Sequence, residues 1–370
     1  MIINLKNPTD LSGIYFVYKG SINLEKKGWY GISHFMEHMF CKNFDDLQNV
    51  LQENGISWNA YTDNNEIVFY FTGLEKYLAP FRSILIERLS YFTPTPEDCE
   101  KEKKIVLEEY MDGFTEQYSS HSENFFRRYY GSYSPIGLKE DIENFTYQDC
   151  LDFFKLQYQE PDCIVNISKT FELTDANIGF KDRGGLLLSD WKFSKDIILE
   201  PGNFPGDKTG IIWNKPLPVG TEDYPVIMFI NSMLISGLNS PLYQEIREKR
   251  GLVYYLHCHS SKLGTLPYLN ISTMTSDKNV NELESVLAEV LSNKEKYLTP
   301  QRLELVRKSS LILREKKDIN RYTDISDIIN PDIAKLNEKI ETLTLDEIYQ
   351  VYDKHFSLDG FIKNRDKELI

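Results

Sequence analysis

The sequence predicts an α+β protein of two related domains, each an antiparallel-rich sheet packed with helices on one side. A length of 370 residues favours two hydrophobic cores over one. Strand hairpins and apolar-periodic helices recur in the same order in both halves. The helix-ending glycines Gly55 and Gly251 lie 251 − 55 = 196 residues apart, and the helix-starting prolines Pro96 and Pro300 lie 300 − 96 = 204 apart. Two independent pairs of landmarks are separated by nearly the same number of residues. This indicates that the chain contains two diverged copies of one structural unit.

These copies predict a domain at 1–190 and a second at 191–370. The stretch 165–207 carries Gly, Pro and charge, and we expect it to hold the junction.

Each element of the first half follows from its hydrophobic period and its end signals. Alternating β-branched and aromatic residues predict strands, and apolar residues three or four apart predict helices. Thr95 is a typical N-cap before Pro96 at the first helical position. The predicted elements are a strand at 13–22, a helix at 31–43 with Ser33 as a possible cap, a helix at 47–55, a hairpin turning at Asp63-Asn64, a helix at 74–89 and a helix at 96–112.

The second half repeats this order. The same signals predict a helix at 242–251, strand-like segments at 252–258 and 267–274, a helix at 280–292 and a further helix that starts at Thr299-Pro300.

Composition and charge exclude several function classes. The formal net charge is −14, and no Lys/Arg block forms the basic face of a nucleic-acid-binding protein. No uncharged apolar run approaches the roughly 18 residues of a membrane span. The five cysteines form no C-x-x-C pair, which indicates reduced thiols. The N-terminal residues resemble no signal peptide. We expect a cytoplasmic protein that binds neither nucleic acid nor a membrane.

The segment GISHFMEHMFC at 31–41 contains the chemistry-bearing residues. His34 and His38 are four residues apart, so on a helix both imidazoles project from one face and are suited to bind one Zn²⁺. Glu37 lies near the same face and is placed to take a proton from an attacking water. The competing interpretation is an ordinary helix with two unrelated histidines and a solvated glutamate. Catalytic zinc also needs a third protein ligand.

The acidic helix predicted at 96–112, after the N-cap Thr95, offers that ligand. A carboxylate that follows the apolar run at 105–107 is expected to be partly buried, which favours Glu108 or Glu109. Glu102 and Glu109 are seven apart and share a helix face. Spacing alone does not choose between Glu108 and Glu109.

Together these segments resemble the insulinase/pitrilysin-like zinc metallopeptidases, the inverzincins, whose zinc motif is H-x-x-E-H. The chain is similar to the short two-domain members, such as mitochondrial processing peptidase subunits and their bacterial relatives. Four segments carry the resemblance: HFMEH at 34–38, NAYT at 59–62, EKEKKIVLEEY at 100–110 and EIREKRGLVYY at 245–255.

The resemblance implies a role for each matching residue. It implies that the metal ligands are His34, His38 and Glu109, with one Zn²⁺ per chain and Glu37 as general base. It implies that Glu102 supports a ligand and that Asn59 and Ala60 pair with the backbone of an extended peptide. It also implies that Arg247 and Tyr254 reach the substrate or the oxyanion.

The function implied is a zinc-dependent metalloendopeptidase acting on peptides or unfolded protein segments in an enclosed chamber. The expected partner is a second copy or a related chain, in a homodimer or a heterodimer. Two other interpretations stay open. One is a zinc-containing but non-catalytic assembly or peptide-binding subunit, and the other is a dedicated maturation protease for one partner protein.

Overall fold

The computed structural model describes residues 1–115, 133–158, 160–174, 207–264, 266–319 and 325–365. The chain forms two compact units, one of Met1–Ile197 with Asn320–Ile325 and the other of Ile198–Ile319 with Ser326–Ile370. The predicted domain boundary at 190/191 lies outside the described residues and stays a prediction.

The first unit is built on a five-stranded sheet in the order β1-β5-β2-β4-β3. Only β1 and β5 pair in parallel among these strands, and every other pair is antiparallel. The strands are β1 Ile2–Lys6, β2 Leu11–Lys19, β3 Ser57–Thr62, β4 Glu66–Leu74 and β5 Cys163–Ser168. The helices are α1 Ile32–Cys41, α2 Gln48–Glu53, α3 Glu75–Leu78, α4 Arg82–Arg88, α5 Pro96–Thr115, α6 Lys139–Asn144 and α7 Tyr147–Phe153.

Helix α1 lies in the core of this unit. Its apolar side chains Phe35, Met36, Met39 and Phe40 are fully buried and belong to one hydrophobic cluster with the central strand β2. Burial of side chains this large supplies on the order of 1.5–3 kcal/mol each. Both histidines of α1 are partly exposed, as is Cys41 at the end of the helix, and the other residues of α1 are buried.

Two local predictions for this unit are wrong. The helix predicted at 74–89 is two short helices, α3 and α4, separated by a 3₁₀ turn at Ala79–Phe81. Pro80 explains the break, because it has no N–H for the helical ladder and its ring clashes with the preceding turn. Ser33 lies inside α1, and the N-cap is Gly31.

The second unit is built on a four-stranded antiparallel sheet in the order β7-β8-β6-β9. Its strands are β6 Lys208–Pro216, β7 Leu256–Leu263, β8 Leu266–Ser276 and β9 Ile362–Arg365. Its helices are α8 Tyr224–Ile235, α9 Val280–Ser292, α10 Lys294–Tyr297, α11 Pro300–Ile319, α12 Ser326–Ile329, α13 Pro331–Lys339 and α14 Leu345–His355. The predicted helix at 242–251 is a π-helical segment at Tyr243–Glu248.

The sheets of the two units share one topology. The order β3-β4-β2-β5 in the first matches β7-β8-β6-β9 in the second, strand for strand. Helices α5 and α11 both span 20 residues and begin at a proline. The predicted α+β class with two related, antiparallel-rich domains is confirmed. Within the described residues, no helix is both long and apolar enough to cross a membrane.

Candidate metal centre

Three side chains of the first unit converge on one point. Among the described residues, His34, His38 and Glu109 form a group whose ligand atoms all lie within 4.8 Å of one another. Glu109 Oε1 is 3.6 Å from His34 Nε2, and Glu109 Oε2 is 3.4 Å from His38 Nε2. Ligands about 2.0–2.1 Å from a tetrahedral zinc lie about 3.4 Å from each other. Each of these two nitrogen–oxygen distances therefore fits a pair of ligands on one Zn²⁺.

Helix α1 presents the two imidazoles because they are one turn apart. The ring centroids of His34 and His38 are 4.8 Å apart. The first turn of α1 is anchored from outside the helix, since the buried carboxylate of Glu25 accepts hydrogen bonds from the backbone N–H groups of Gly31 and Ser33, each at 3.0 Å. A carboxylate at this end also interacts favourably with the helix dipole.

Helix α5 supplies the acidic side of the group. Glu109 lies near the imidazoles, and the neighbouring Glu108 is not part of the group. Both glutamates are exposed, so the expected partial burial is wrong, because the apolar run before them is not buried as a whole: Ile105 is itself exposed. Two turns earlier on the same face, the buried Glu102 Oε2 lies 3.4 Å from His38 Nδ1, and its Oε1 pairs with Lys42 Nζ at 2.8 Å. A carboxylate on the second ring nitrogen fixes the tautomer that leaves Nε2 for a metal.

The charges of the three group members are interdependent. Burial, and after it the neighbouring His38, lowers the pKa of His34 to about 4, so this imidazole is neutral. Burial opposes protonation of His38, but its contacts with Glu109 outweigh burial and raise the pKa of His38 above its ordinary value. The hydrogen bond from His38 lowers the pKa of Glu109. Neutral imidazole and ionised carboxylate are the forms that bind zinc.

Glu37 lies on α1 beside this group and is 9% exposed. Burial raises the pKa of its carboxyl, and a hydrogen bond from Thr62 opposes that rise. The Thr62 hydroxyl donates to Glu37 Oε2 at 2.5 Å. A carboxyl with a raised pKa is suited to accept and return a proton near neutral pH.

Four other predicted site residues are not members of the three-residue group. Asn59 is exposed and Ala60 half-buried on β3, the last strand of its sheet. Arg247 and Tyr254 belong to the second unit, where the Arg247 guanidinium lies 5.2 Å from the ring centroid of Tyr254. Tyr254 is 81% exposed. The roles of these four residues stay proposals.

Three contacts of the centre were not predicted from the sequence: those of Glu25, Lys42 and Thr62. Lys42 is four residues after His38, so a helical wheel places it near the same face. Glu25 contacts the start of α1 from the loop before it, and Thr62 contacts Glu37 from strand β3. No local spacing in the sequence indicates either contact.

Sequence comparison assigns both units to one family. Residues 3–130 match the family described as Insulinase (Peptidase family M16), and residues 191–310 match the Peptidase M16 inactive domain. The chain belongs to the insulinase-like peptidase family, M16. It is of the short two-domain type, and several of its M16 relatives are named zinc proteases.

Three curated M16 relatives illustrate the range of similarity. The uncharacterized zinc protease YmxG of Bacillus subtilis is 26% identical over 294 residues, covering 74% of this chain and 71% of that protein. An uncharacterized zinc protease of Rickettsia felis is 23% identical over 380 residues, covering 94% and 90%. The human mitochondrial-processing peptidase subunit beta is 25% identical over 141 residues, covering 35% and 29%.

Solved structures show the same M16 fold. A protease from Helicobacter pylori superposes with a TM-score of 0.80 at 17% identity, covering 98% of this chain and 96% of that one. A chain of Complex III2 from Candida albicans superposes with a TM-score of 0.77 at 11% identity, covering 98% and 93%.

Proposed function

We propose that the chain is a zinc-dependent metalloendopeptidase that hydrolyses peptides or flexible protein segments. The observation that carries the proposal is the convergence of His34, His38 and Glu109 beside the buried carboxylate of Glu37. A structural zinc site is closed by four protein ligands, whereas a catalytic site has three and one open position. Three ligands next to a buried acid–base group match the catalytic type.

His34, His38 and Glu109 would hold one zinc per chain. Zinc held there would supply a Lewis acid to polarise the scissile carbonyl and to make water a stronger nucleophile. Glu102 holds His38 by its Nδ1, and Lys42 balances the charge of Glu102.

Glu37 is the proposed general base and acid. It takes a proton from the attacking water and gives it to the leaving amine, a role for which its raised pKa is suited. General acid–base catalysis of this kind contributes about 10²–10⁴-fold to the rate.

The peptide is proposed to bind as an added strand along β3. This strand is last in the order of its sheet, so one side of its backbone faces away from β4. Asn59 and Ala60 lie in this strand, and strand addition gives affinity that depends little on side-chain identity. Arg247 and Tyr254 are proposed to stabilise the developing oxyanion, a role suited to a cation and a phenol donor.

The proposed assembly is a homodimer or a heterodimer with a related chain, enclosing a chamber. Support comes from one relative, which is named as a subunit of a mitochondrial-processing peptidase, and from a fold neighbour that is part of Complex III2. The cytoplasm is the proposed location, since all five cysteines are thiols.

The match to an inactive M16 domain covers residues 191–310 and includes no residue of the proposed centre. Helix α8 corresponds to α1 in the repeat, and its sequence YPVIMFINSMLI contains no His, Asp or Glu. The first unit keeps His34, Glu37, His38 and Glu109, which favours a catalytic chain over a non-catalytic subunit.

The test is cleavage of a quenched fluorescent peptide library, with zinc content measured on the same samples, by wild type, Glu37→Gln and the exposed control Glu108→Gln. We expect about one zinc per chain in all three and a loss of kcat of about 10³-fold in Glu37→Gln alone. Zinc in all three with no cleavage by wild type would favour the non-catalytic subunit or a missing related chain. Protein that binds no zinc after reconstitution would overturn the proposal.

A further inference from the structure

The hydroxyl of Thr62 connects strand β3 to the buried carboxylate of helix α1. It donates to Glu37 Oε2 at 2.5 Å, and Glu37 is 9% exposed. A buried carboxylate that lacks hydrogen bonds is costly, and a glutamate has three rotatable bonds to immobilise. The hydrogen bond from Thr62 both satisfies the buried Glu37 carboxylate and restricts the rotation of its side chain.

The pleat of β3 directs Thr62 toward α1. Exposure alternates along the strand, so Trp58, Ala60 and Thr62 share the less exposed face. Trp58 and Ala60 pack against the same hydrophobic cluster as α1. Thr62 therefore lies at the end of this partly buried row, and its contact with α1 is a hydrogen bond to Glu37.

Three hydrogen bonds hold the backbone of the turn that directly follows Thr62. The hairpin closes by a hydrogen bond from Asp63 N to Glu66 O at 2.8 Å. The buried Ser21 hydroxyl donates to Asp63 O at 2.5 Å, and the buried Asn23 amide donates to Asn64 O at 2.9 Å. Threonine is also stiff at χ1 because its Cβ is branched. The hydroxyl is thus a preorganised donor on a regular element.

We propose that Thr62 is a positioning residue that holds the Glu37 carboxylate in the orientation required for proton transfer, and this inference rests on the proposed function. With Oε2 held by Thr62, the proton from the attacking water goes to Oε1. Strand β3, which is proposed to bind the peptide, then also holds the carboxylate of the proposed base. The substrate backbone and the Glu37 carboxylate are therefore both positioned by the same strand. Misplacement of a reacting group by about 1 Å costs up to about 10²-fold in rate.

The variants separate the hydroxyl from the shape of the side chain. Thr62→Val deletes the donor and keeps the branched shape, whereas Thr62→Ser keeps the donor. Thr72→Val is the matched control: Thr72 lies in β4 at the other end of the same hairpin, where its hydroxyl donates to Ser57 O at 3.4 Å. The readouts are kcat and KM for a quenched peptide, zinc content, and crystal structures of wild type and Thr62→Val.

We expect Thr62→Val to lower kcat about 10–100-fold, with KM within about 3-fold and zinc content unchanged. Thr62→Ser should recover kcat to within about 5-fold of wild type, and Thr72→Val should stay within about 2-fold. In the Thr62→Val crystal structure the Glu37 carboxylate should have moved by about 1 Å or more.

Three results would overturn the inference: an unchanged kcat in Thr62→Val, equal losses in Thr62→Val and Thr62→Ser, or a carboxylate that stays in place. If the wild type binds zinc but cleaves no peptide, a non-catalytic subunit or a missing related chain is favoured, and the two crystal structures still decide whether Thr62 positions Glu37.

Discussion

At the scale of single residues, the geometry favours one of two adjacent glutamates as the proposed metal ligand. Both follow the same apolar run, and spacing in the sequence does not separate them. On helix α5 one residue is a rotation of about 100°, and Glu109, not Glu108, lies in the group with the two histidines. The family resemblance had indicated Glu109, and the geometry of the described residues agrees with that choice.

A second glutamate, Glu66 at the start of β4, offers a test of pH-dependent stability. Burial, and after it the nearby Asp63, raises the pKa of Glu66 from 4.5 to about 7. The folded state thus disfavours the charged form. The unfolded chain loses this proton near pH 4.5 and the folded chain near pH 7, so stability falls as pH rises between these values.

We therefore expect Glu66→Gln to stabilise the protein above pH 7 and to have little effect at pH 4.5. The melting temperature should rise by about 2–6 °C at pH 8, and the gain should disappear between pH 7 and 4.5. Scanning calorimetry at several pH values measures this, with the exposed Glu53→Gln on α2 as control. A gain that is equal at pH 4.5 and pH 8 would contradict the assignment.

At the scale of elements, the start of α1 depends on contacts that the sequence does not reveal. The helix itself was predicted from its end signals and its histidine spacing, but its first turn is held by residues beyond the helix. Besides the Glu25 carboxylate, the turn rests on Gly137, whose backbone lies against Gly31. Both glycines have positive φ, 96° for Gly31 and 80° for Gly137. A contact between residues about a hundred positions apart has no local signal.

This close approach predicts a large effect of one methyl group. A Cβ on Gly137 would lie 2.2 Å from Gly31 Cα. Gly55 has a similar φ of 66° with nothing within 4 Å of its own Cβ position, so it is a matched control. Gly55→Ala should lower the melting temperature by about 2–6 °C, whereas Gly137→Ala should lower it by about 10 °C or more and reduce zinc content. Equal shifts in the two variants would show that the contact is unimportant.

The prediction of helices and strands was wrong where tertiary contacts or special backbone geometry determine the secondary structure. The helix at 74–89 had a regular apolar stripe, but Pro80 divides it and Leu74 belongs to β4. The parallel pairing of β1 with β5 joins residues about 160 positions apart, which no pattern in either strand indicates. The edge strand β3 was predicted well because its hairpin partner is adjacent in sequence.

At the scale of the whole molecule, the repeat was the most reliable inference from the sequence. Gly55 and Gly251, one of the predicted landmark pairs, have φ of 66° and 60°. The structure adds a third pair: capping boxes begin α7 at Thr146 and α14 at Thr344, an offset of 344 − 146 = 198. Backbone requirements of this kind persist after side chains diverge, because a cap or a turn restricts residue choice more strongly than a packed core does.

The two copies differ in their chemistry. The first carries the histidines and glutamates of the candidate centre, and the corresponding helix α8 of the second contains no His, Asp or Glu. One zinc per chain is therefore the expected stoichiometry. This arrangement explains how one chain can match both a peptidase family and its inactive domain.

The most direct test of the central claim is an anomalous-scattering map at the zinc absorption edge, from crystals of the zinc-reconstituted protein. We predict one peak per chain, with His34 Nε2 and His38 Nε2 each at about 2.0–2.1 Å and a Glu109 oxygen at about 2.0–2.2 Å. A map with no peak among these three side chains, or with its strongest peak elsewhere in the chain, would contradict the account.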